Sequence, residues 1–198
     1  MRLMKEMGIQ GVVPKKNLSM PKAGDQKFKY LLRELQINKV NQVWSTDITY
    51  INTPYGHVYL SAIIDVHSRY IVAWRLSNSL SKAFCIDTLE EALKVGKPEI
   101  LNTDQGSQYT SKEYSSKVLD SGITLSMDGK GRCLDNVWIE RFWRTIKYSE
   151  IFLNEYQNLR ELYDGIKRYI NFYNNDRGHS YLNYETPAKI YFDDSKIA

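Results

Sequence analysis

The sequence predicts an α/β fold in which a five-stranded mixed sheet is flanked by helices. Two observations predict it. Three strand-like segments follow one another between residues 43 and 76, and helical and strand-like segments then alternate as far as residue 147. The resulting order β-β-β-α-β-α-β-α, with three antiparallel strands first, is typical of a mixed sheet that carries helices on its faces.

The strands are predicted from alternating and continuous apolar patterns. Trp44, Ile48 and Tyr50 alternate with polar residues, and a turn at residues 52–56 leads into a second strand, 58–65. This second strand is apolar on both faces, which favours a central position in the sheet. A third strand is predicted over 70–76, a fourth over 99–103 and a fifth over 123–127.

The helices are predicted from periodicity and capping residues. Ser81 is expected to cap the first, Thr110 with Glu113 the second, and Asn158 with Glu161 the last. Between them, a helix preceded by the possible cap Asp135 has an apolar stripe at i, i+3, i+4 and i+7 and a solvent-facing stripe beside it. The apolar stripe is Ile139, Phe142, Trp143 and Ile146, and the solvent-facing one is Glu140, Arg144 and Lys147.

Charge divides the 198-residue chain into three predicted regions. Residues 1–42 hold nine lysines and arginines against three acids, and only a short helix, Phe28 to Leu35, is expected there. This basic N-terminal arm suits contact with phosphates, although a solvated linker would show the same bias. Residues 43–128 hold seven lysines and arginines against ten acids, and residues 129–198 hold eleven against ten, so a slightly acidic body follows the arm. A main domain is expected over 43–150, and a helix and an irregular tail over 151–198 are expected to complete it.

Composition excludes several classes of protein. No apolar run approaches the roughly 20 residues that span a bilayer, and the first residues lack the apolar core of a signal peptide, so a cytoplasmic, nucleoid-associated protein is expected. Cys85 and Cys133 lie far apart without metal-ligand spacing, which favours incidental thiols over a zinc site or a disulfide.

Three acids stand where a metal site is expected. Asp47 lies in the first strand, Asp104 ends the fourth and Glu140 lies on a helix, and ligands gather at the carboxyl ends of strands in open α/β sheets. Converging carboxylates need a compensating cation, and Mg²⁺ prefers oxygen ligands. Two such ions about 3.5–4 Å apart support phosphodiester chemistry.

The residues around the acids resemble a known family. The segments are Trp44 to Tyr50, Asn102 to Tyr109, Asp128 to Asn136 and Ile139 to Lys147, with further similarity at Tyr169 to Asn174 and Tyr184 to Pro187. Together they resemble the catalytic core of DDE transposases, above all the second-frame product of the insertion-sequence-three family, which is related to retroviral integrases. Thirty-five residues separate Asp104 from Glu140, which is the spacing of the DD(35)E signature.

The resemblance implies a ribonuclease H-like fold and a metal-dependent polynucleotidyl transferase. Asp47, Asp104 and Glu140 would be catalytic ligands of two Mg²⁺ or Mn²⁺ ions. The enzyme would cleave element ends with water and join them to target DNA with a 3′-hydroxyl. The expected partners are DNA and a second copy of the chain. Six residues are candidates for DNA contact: Gln108, Lys130, Arg132, Asn136, Arg144 and Lys147.

The chain departs from the family pattern in three places. Cys133 stands where many relatives have tryptophan. Residues 177–179 are Arg-Gly-His where Arg-Pro-His is usual, so Gly178 replaces the proline. Residues 1–35 resemble only the tail of the helix-turn-helix region of relatives, so a truncated chain, or a separate or fused helix-turn-helix subunit, is a further expectation.

Other interpretations remain open from sequence. The enzyme could cleave without joining, or the chain could be a non-catalytic remnant that binds DNA or a full-length transposase and interferes with transposition. Trp138 and Trp143 suit core packing, although an aromatic beside the site could stack on a base. The remaining acids are expected as surface turn or cap residues and the histidines as structural: Asp65, Asp87, Asp128, Asp135, His57, His67 and His179.

Overall fold

A five-stranded mixed sheet forms the centre of the protein. The computed structural model describes residues 6–8, 27–54, 56–129 and 136–194. The strands are β1 Val43–Thr53, β2 Gly56–Asp65, β3 Ile71–Ser77, β4 Ile100–Thr103 and β5 Thr124–Met127. Their order across the sheet is β3-β2-β1-β4-β5; β1, β2 and β3 pair antiparallel, whereas β4 pairs parallel with both β1 and β5. The predicted mixed sheet, with three antiparallel strands first, is confirmed.

Five α-helices surround this sheet within the described part of the chain. They are α1 Lys82–Leu93, α2 Lys112–Asp120, α3 Val137–Ile146, α4 Leu159–Asn175 and α5 Pro187–Asp194. A π-helical turn, Lys147–Ile151, continues α3, and a 3₁₀ turn, Ser180–Leu182, precedes α5. None of the helices in the ranges above has both the length and the apolar composition needed to cross a membrane.

The helices cover the two faces of the sheet separately. On one face α1 and α2 bury Phe84, Leu89 and Val118 against Trp44 and Ile63. On the other, an apolar cluster joins α3 and α4 to β2, and its members include Ala62, Ile64, Ile139, Phe142, Ile146, Leu162, Ile166 and Ile170. Successive residues of β2 therefore point into different cores, which is why this strand is apolar on both faces.

The prediction of a helix from Phe28 to Leu35 is wrong. This segment is irregular, and its backbone follows β5: Lys29 O accepts a hydrogen bond from Met127 N at 3.4 Å, and Leu31 N donates to Ser126 Oγ at 3.1 Å. Leu32 is buried in a small apolar cluster near the start of β1. Contacts with distant residues, which local periodicity does not register, override the weak helical pattern.

One predicted cap is also wrong, whereas two others are confirmed. Ser111, not Thr110, caps α2 by accepting from Tyr114 N at 3.3 Å; Thr110 instead donates its hydroxyl to Gly106 O at 3.2 Å. Ser81 caps α1 and Asn158 caps α4 as expected. The helix therefore begins one residue later than predicted and without a capping box, because the preceding turn engages Thr110 and Tyr114 occupies the third helical position.

The tail from residue 174 is not irregular as expected. It forms the 3₁₀ turn and α5, and Tyr191 of α5 docks it by stacking on Tyr70, with ring centroids 4.7 Å apart. The Tyr191 hydroxyl donates to Asn41 Oδ1 at 2.8 Å. A short helix held by such long-range contacts has little periodic signal of its own.

Candidate functional site

Parallel pairing of β1 with β4 brings Asp47 and Asp104 side by side. Ser45 of β1 is in register with Asn102 of β4, and Asp47 and Asp104 each come two residues later. Neighbouring strands lie about 4.8 Å apart, so the two acids occupy the same level at one edge of the site. Asp104 directly follows the last residue of β4, which places it at the carboxyl end of that strand as predicted.

Helix α3 lies over Asp47. Asp47 is paired across β1 and β2 with Ala62, which packs in the apolar cluster beneath α3. The indole Nε1 of Trp143 donates to Asp47 Oδ2 at 2.9 Å. Glu140 lies three residues earlier on the same helix and is exposed to solvent. The apolar stripe of α3 thus fixes the helix, while its neighbouring stripe holds the Glu140 carboxylate close enough to repel that of Asp47.

Burial and mutual repulsion raise the proton affinity of this site. The pKa of Asp47 rises from 3.8 to about 6, chiefly because the carboxylate is buried, and then because Asp104 and, more weakly, Glu140 repel its charge. The Ile48 N–H and the Trp143 indole act in the opposite direction. Burial also raises the pKa of Asp104. These carboxylates therefore lack sufficient compensation from the described protein groups.

The turn after β4 orients the Asp104 carboxylate. Its Oδ1 accepts a hydrogen bond from Gly106 N at 2.9 Å. A Cβ added at Gly106 would come within 2.9 Å of the same oxygen and 3.4 Å of Gln108 Oε1. Glycine therefore allows the carboxylate to fold back over the turn, and Gln108 lies beside it, partly buried.

Asn136 fixes the start of α3 on β1. It is 4% exposed; its Nδ2 donates to Thr46 O at 3.2 Å, and its Oδ1 accepts from the Ser45 hydroxyl. Both polar atoms of its amide are thus engaged inside the protein, and the contact of Asn136 with DNA stays a prediction. Asn136 itself holds the N-cap position of α3, without a side-chain capping bond; the predicted cap, Asp135, precedes it and lies outside the described residues.

Among the predicted DNA contacts, Lys147 and Arg144 are presented beside the acids. Lys147 is half-buried, and burial lowers its pKa more than attraction to Asp47 raises it. Its Nζ lies 5.3 Å from the centroid of the Tyr50 ring. Arg144 is exposed on the same stripe of α3. Lys130 and Arg132 lie outside the described residues.

Two acids expected at the surface are buried. Asp65 is fully buried and caps the turn after β2, accepting from Ser68 N and Oγ, both at 2.7 Å, and from Asn41 N at 2.8 Å. Asp128 is 8% exposed and accepts from Asn102 Nδ2 at 2.7 Å. Both are turn residues, but donors from distant segments make their burial possible.

Sequence reasoning missed the positioning functions of Trp143 and Asn136. Trp143 belongs to the buried stripe of α3, so periodicity predicted packing and gave no sign of its bond to Asp47. Among the described residues, no three His, Cys, Asp or Glu side chains already form a set of metal ligands. Glu140 lies near enough to Asp47 to raise its pKa by repulsion.

Known protein families match the part of the chain that contains these residues. Two models described as integrase core domain match residues 37–133 and 121–187. A transposase for insertion sequence element IS904 from Lactococcus lactis is 36% identical over 94% of this chain and 78% of its own length. The chain belongs to the DDE transposases of the insertion-sequence-three family.

Other members of this transposase family are longer than the matched region. The transposase for IS629 from Shigella sonnei is 32% identical, and the alignment covers 95% of this chain and 65% of that protein. Transposase InsF for IS3A from Escherichia coli is 32% identical over 80% of this chain and 56% of its own length. The chain therefore spans between about half and four-fifths of these relatives.

Solved structures establish the fold of the transposase. A chain of the simian T-cell lymphotropic virus intasome superposes with a TM-score of 0.70 at 18% identity, covering 84% of this chain and 59% of that one. The HTLV-2 integrase catalytic core domain, determined in complex with magnesium, gives 0.63 at 20% identity, covering 77% and 97%. The expected ribonuclease H-like fold is confirmed.

Proposed function

We propose that this transposase cleaves DNA at the ends of an insertion sequence and joins those ends to target DNA. The observation that carries the proposal is the register of β1 and β4, which sets Asp47 beside Asp104 under the helix that bears Glu140. Membership of the family supplies the reaction class. The intact acids do not favour the alternative of a non-catalytic remnant.

The donor set fits a divalent cation. Asp47 and Asp104 are carboxylates whose pKa values are raised by burial, and a cation would remove the repulsion among these acids. In our proposal Asp47, Asp104 and Glu140 hold two Mg²⁺ or Mn²⁺ ions. When bound, such ions activate the attacking hydroxyl and stabilise the leaving oxygen of an in-line displacement. The protein's own share is to orient the carboxylates through Trp143 and Gly106.

Basic residues beside the acids would bind the DNA backbone. Lys147 and Arg144 lie on the stripe of α3 that includes Glu140, and phosphate contacts from such residues fix the position of a duplex without reading its sequence. Gln108 borders the Asp104 turn and is proposed to contact DNA there. Lys130 and Arg132 are proposed as further contacts from the sequence alone.

Assembly is part of the same proposal. Joining two element ends to one target needs both ends held together, so we infer that two or more copies act at once, and a separate or fused helix-turn-helix subunit would add recognition of the ends. The solved relatives are described as an intasome and as dimeric and trimeric forms of a catalytic core.

A strand-transfer assay tests the proposal. Labelled element-end DNA is incubated with purified protein and Mg²⁺ or Mn²⁺, with EDTA as the metal-free control. Asp47→Asn, Asp104→Asn and Glu140→Gln should each reduce cleavage and joining to background while circular dichroism shows an intact fold. Asp120→Asn, an exposed acid at the end of α2, is the matched control and should retain full activity. Full activity in any of the three site variants would remove that residue from the site.

A further inference from the structure

Three arginines from separate segments line one cavity beside α3. The cavity has a volume of about 180 Å³ and is bounded by the turn after β2, by α3 and by the segment that follows α4. Arg69, Arg141 and Arg177 come from these three places in turn, and Trp138 and Tyr181 supply aromatic walls. The volume corresponds to roughly six water molecules, which leaves room for one phosphate group with some of its hydration.

Arg69 is held rigidly in this cavity. Its backbone φ is +66°, in the left-handed region that few residues other than glycine adopt. Its Nη1 donates to Val66 O at 2.6 Å, and its Cζ lies 4.3 Å from the centroid of the Tyr181 ring. A guanidinium fixed in this way loses little conformational entropy when it binds a ligand.

The other two arginines add positive charge near the first. Arg177 Nη1 donates to the Tyr169 hydroxyl at 2.9 Å, and Arg141 is exposed at the cavity. Arg141 lowers the pKa of Arg69 by repulsion, although burial of Arg69 contributes more. Among the described lining residues there is no aspartate or glutamate, and none of the three arginines forms an ion pair with another described residue.

The positive charge of the arginines lowers the pKa of two other residues that line the cavity, His179 and Tyr173. Burial and then repulsion from Arg177 and Arg69 lower the pKa of His179 to about 4, so this lining histidine is neutral near pH 7. The same two arginines lower the pKa of Tyr173 against a larger opposing effect of burial. An anion placed among the three guanidinium groups would relieve this repulsion.

We propose that the arginine cavity binds a phosphate group of the DNA backbone. Planar guanidinium groups match phosphate oxygens with paired hydrogen bonds, and three of them line this cavity, whose described lining holds no carboxylate. The nearest carboxylate effect, from Asp65 on Arg69, is the weakest of those that act on that arginine. Arg141 directly follows Glu140 on α3, so DNA whose scissile phosphate reaches Glu140 passes close to the cavity. The proposal rests on the proposed function only in that the protein binds DNA.

Salt-dependent DNA binding tests the cavity without any catalysis. Binding of labelled duplex DNA to the full chain is measured in EDTA at several salt concentrations for wild type, Arg141→Gln and Arg177→Gln. Log Kobs falls as log salt rises, and loss of one phosphate contact should make this negative slope shallower by about 0.9. Arg160→Gln removes the same charge from an exposed side chain of α4 and should keep the wild-type slope.

A second measurement, by NMR, distinguishes loss of phosphate binding from loss of folding in the variants. The chain has three histidines, so the ring signals of His179 are resolvable by NMR, and DNA should shift them in wild type but not in Arg141→Gln. Wild-type slopes in both cavity variants would overturn the proposal, as would the absence of DNA binding by the wild type. A His179 shift with inorganic phosphate but no change in slope would assign the cavity to a free anion instead.

These outcomes separate the cavity from the proposed reaction. If Glu140→Gln still cuts DNA while Arg141→Gln makes log Kobs depend less steeply on log salt, the proposed role of Glu140 is wrong and the phosphate-binding cavity is supported. If Glu140→Gln is inactive while the cavity variants bind as wild type does, the active site stands and the cavity fails.

Discussion

At the residue scale, Asp47 combines burial, two neighbouring carboxylates and two hydrogen-bond donors. The donors orient the carboxylate, and the neighbours leave it short of positive charge. In the absence of metal, this arrangement should cost stability whenever Asp47 is ionised, because the folded state then holds a repelled and poorly solvated charge. Asp47 is therefore expected to destabilise the metal-free protein at neutral pH.

Asp47→Asn should stabilise the metal-free protein at neutral pH. Because the folded pKa is about 6 rather than 3.8, the folded state retains a proton that the unfolded chain has lost, so wild-type stability falls as pH rises from about 4 to 6 and then levels off. The variant should lack this contribution and exceed wild type by up to roughly 3 kcal/mol above pH 6. Urea unfolding in EDTA from pH 4 to 8 measures the difference, which should vanish at the acidic end. A difference independent of pH would contradict the assignment.

Trp143→Phe should weaken catalysis more than folding. The substitution keeps most of the buried ring but removes the N–H that holds Asp47 Oδ2, so the carboxylate loses its fixed orientation. Loss of such a supporting contact typically costs about 10–100-fold in metal affinity or activity. Cleavage rates across a Mg²⁺ titration should show a higher metal requirement than wild type. Trp74→Phe, a half-buried tryptophan of β3, is the control and should leave the titration unchanged.

At the element scale, the position of α3 relative to β1 determines the site. The apolar stripe of α3 buries its side chains against the sheet, and Asn136 fastens its first turn to the backbone of β1. The apolar stripe sets the height of the helix above the sheet, whereas the Asn136 amide fixes where along β1 the helix begins. Both contacts are needed to bring Glu140 towards Asp47.

Asn136→Ala should loosen the start of α3. It leaves the Thr46 carbonyl and the Ser45 hydroxyl without this buried partner, which costs about 1–3 kcal/mol. Thermal unfolding should show this loss, and strand transfer should fall further than the fraction unfolded explains. Asn175→Ala, an exposed amide at the end of α4, should match wild type in both assays. Wild-type joining by Asn136→Ala would show that the helix needs no such fastening.

At the scale of the whole molecule, α4 shares one apolar core with the strand and helix of the site. Leu162, Ile166 and Ile170 of α4 pack with Ile64 of β2 and Phe142 of α3. α5 docks onto the opposite end of the chain through Tyr191 and Asn41. The region after residue 150 is therefore proposed to be part of the catalytic core's folding unit.

A chain that ends at Leu153 should not fold cooperatively. It would remove five of the sixteen buried residues of the apolar cluster on that side of the sheet and expose those they cover. Circular dichroism during heating should show a broad, weak transition or none. A chain that ends at Asp194 retains α4 and α5 and should unfold like the full chain. A sharp transition in the shorter chain would mean that residues 43–150 fold alone.

The order of strands and helices could be predicted from sequence because each depends on local pattern. Alternation gave β1, capping residues gave α1 and α4, and the string around each acid pointed to Asp47, Asp104 and Glu140. The local signal was weak where distant contacts decide the structure. Residues 28–35 follow β5 instead of forming a helix, and the final segment folds as α5 only because Tyr191 has partners elsewhere.

By itself, the sequence determined the kind of fold, the family and the three candidate acids, since all of these follow from patterns within short segments. Only the tertiary structure decided that Asp47 and Asp104 follow a pair of residues in register, that Trp143 donates to Asp47 and that three arginines line one cavity. Those facts depend on pairing and packing between residues that are 36 to 108 positions apart, and no local pattern encodes such distances.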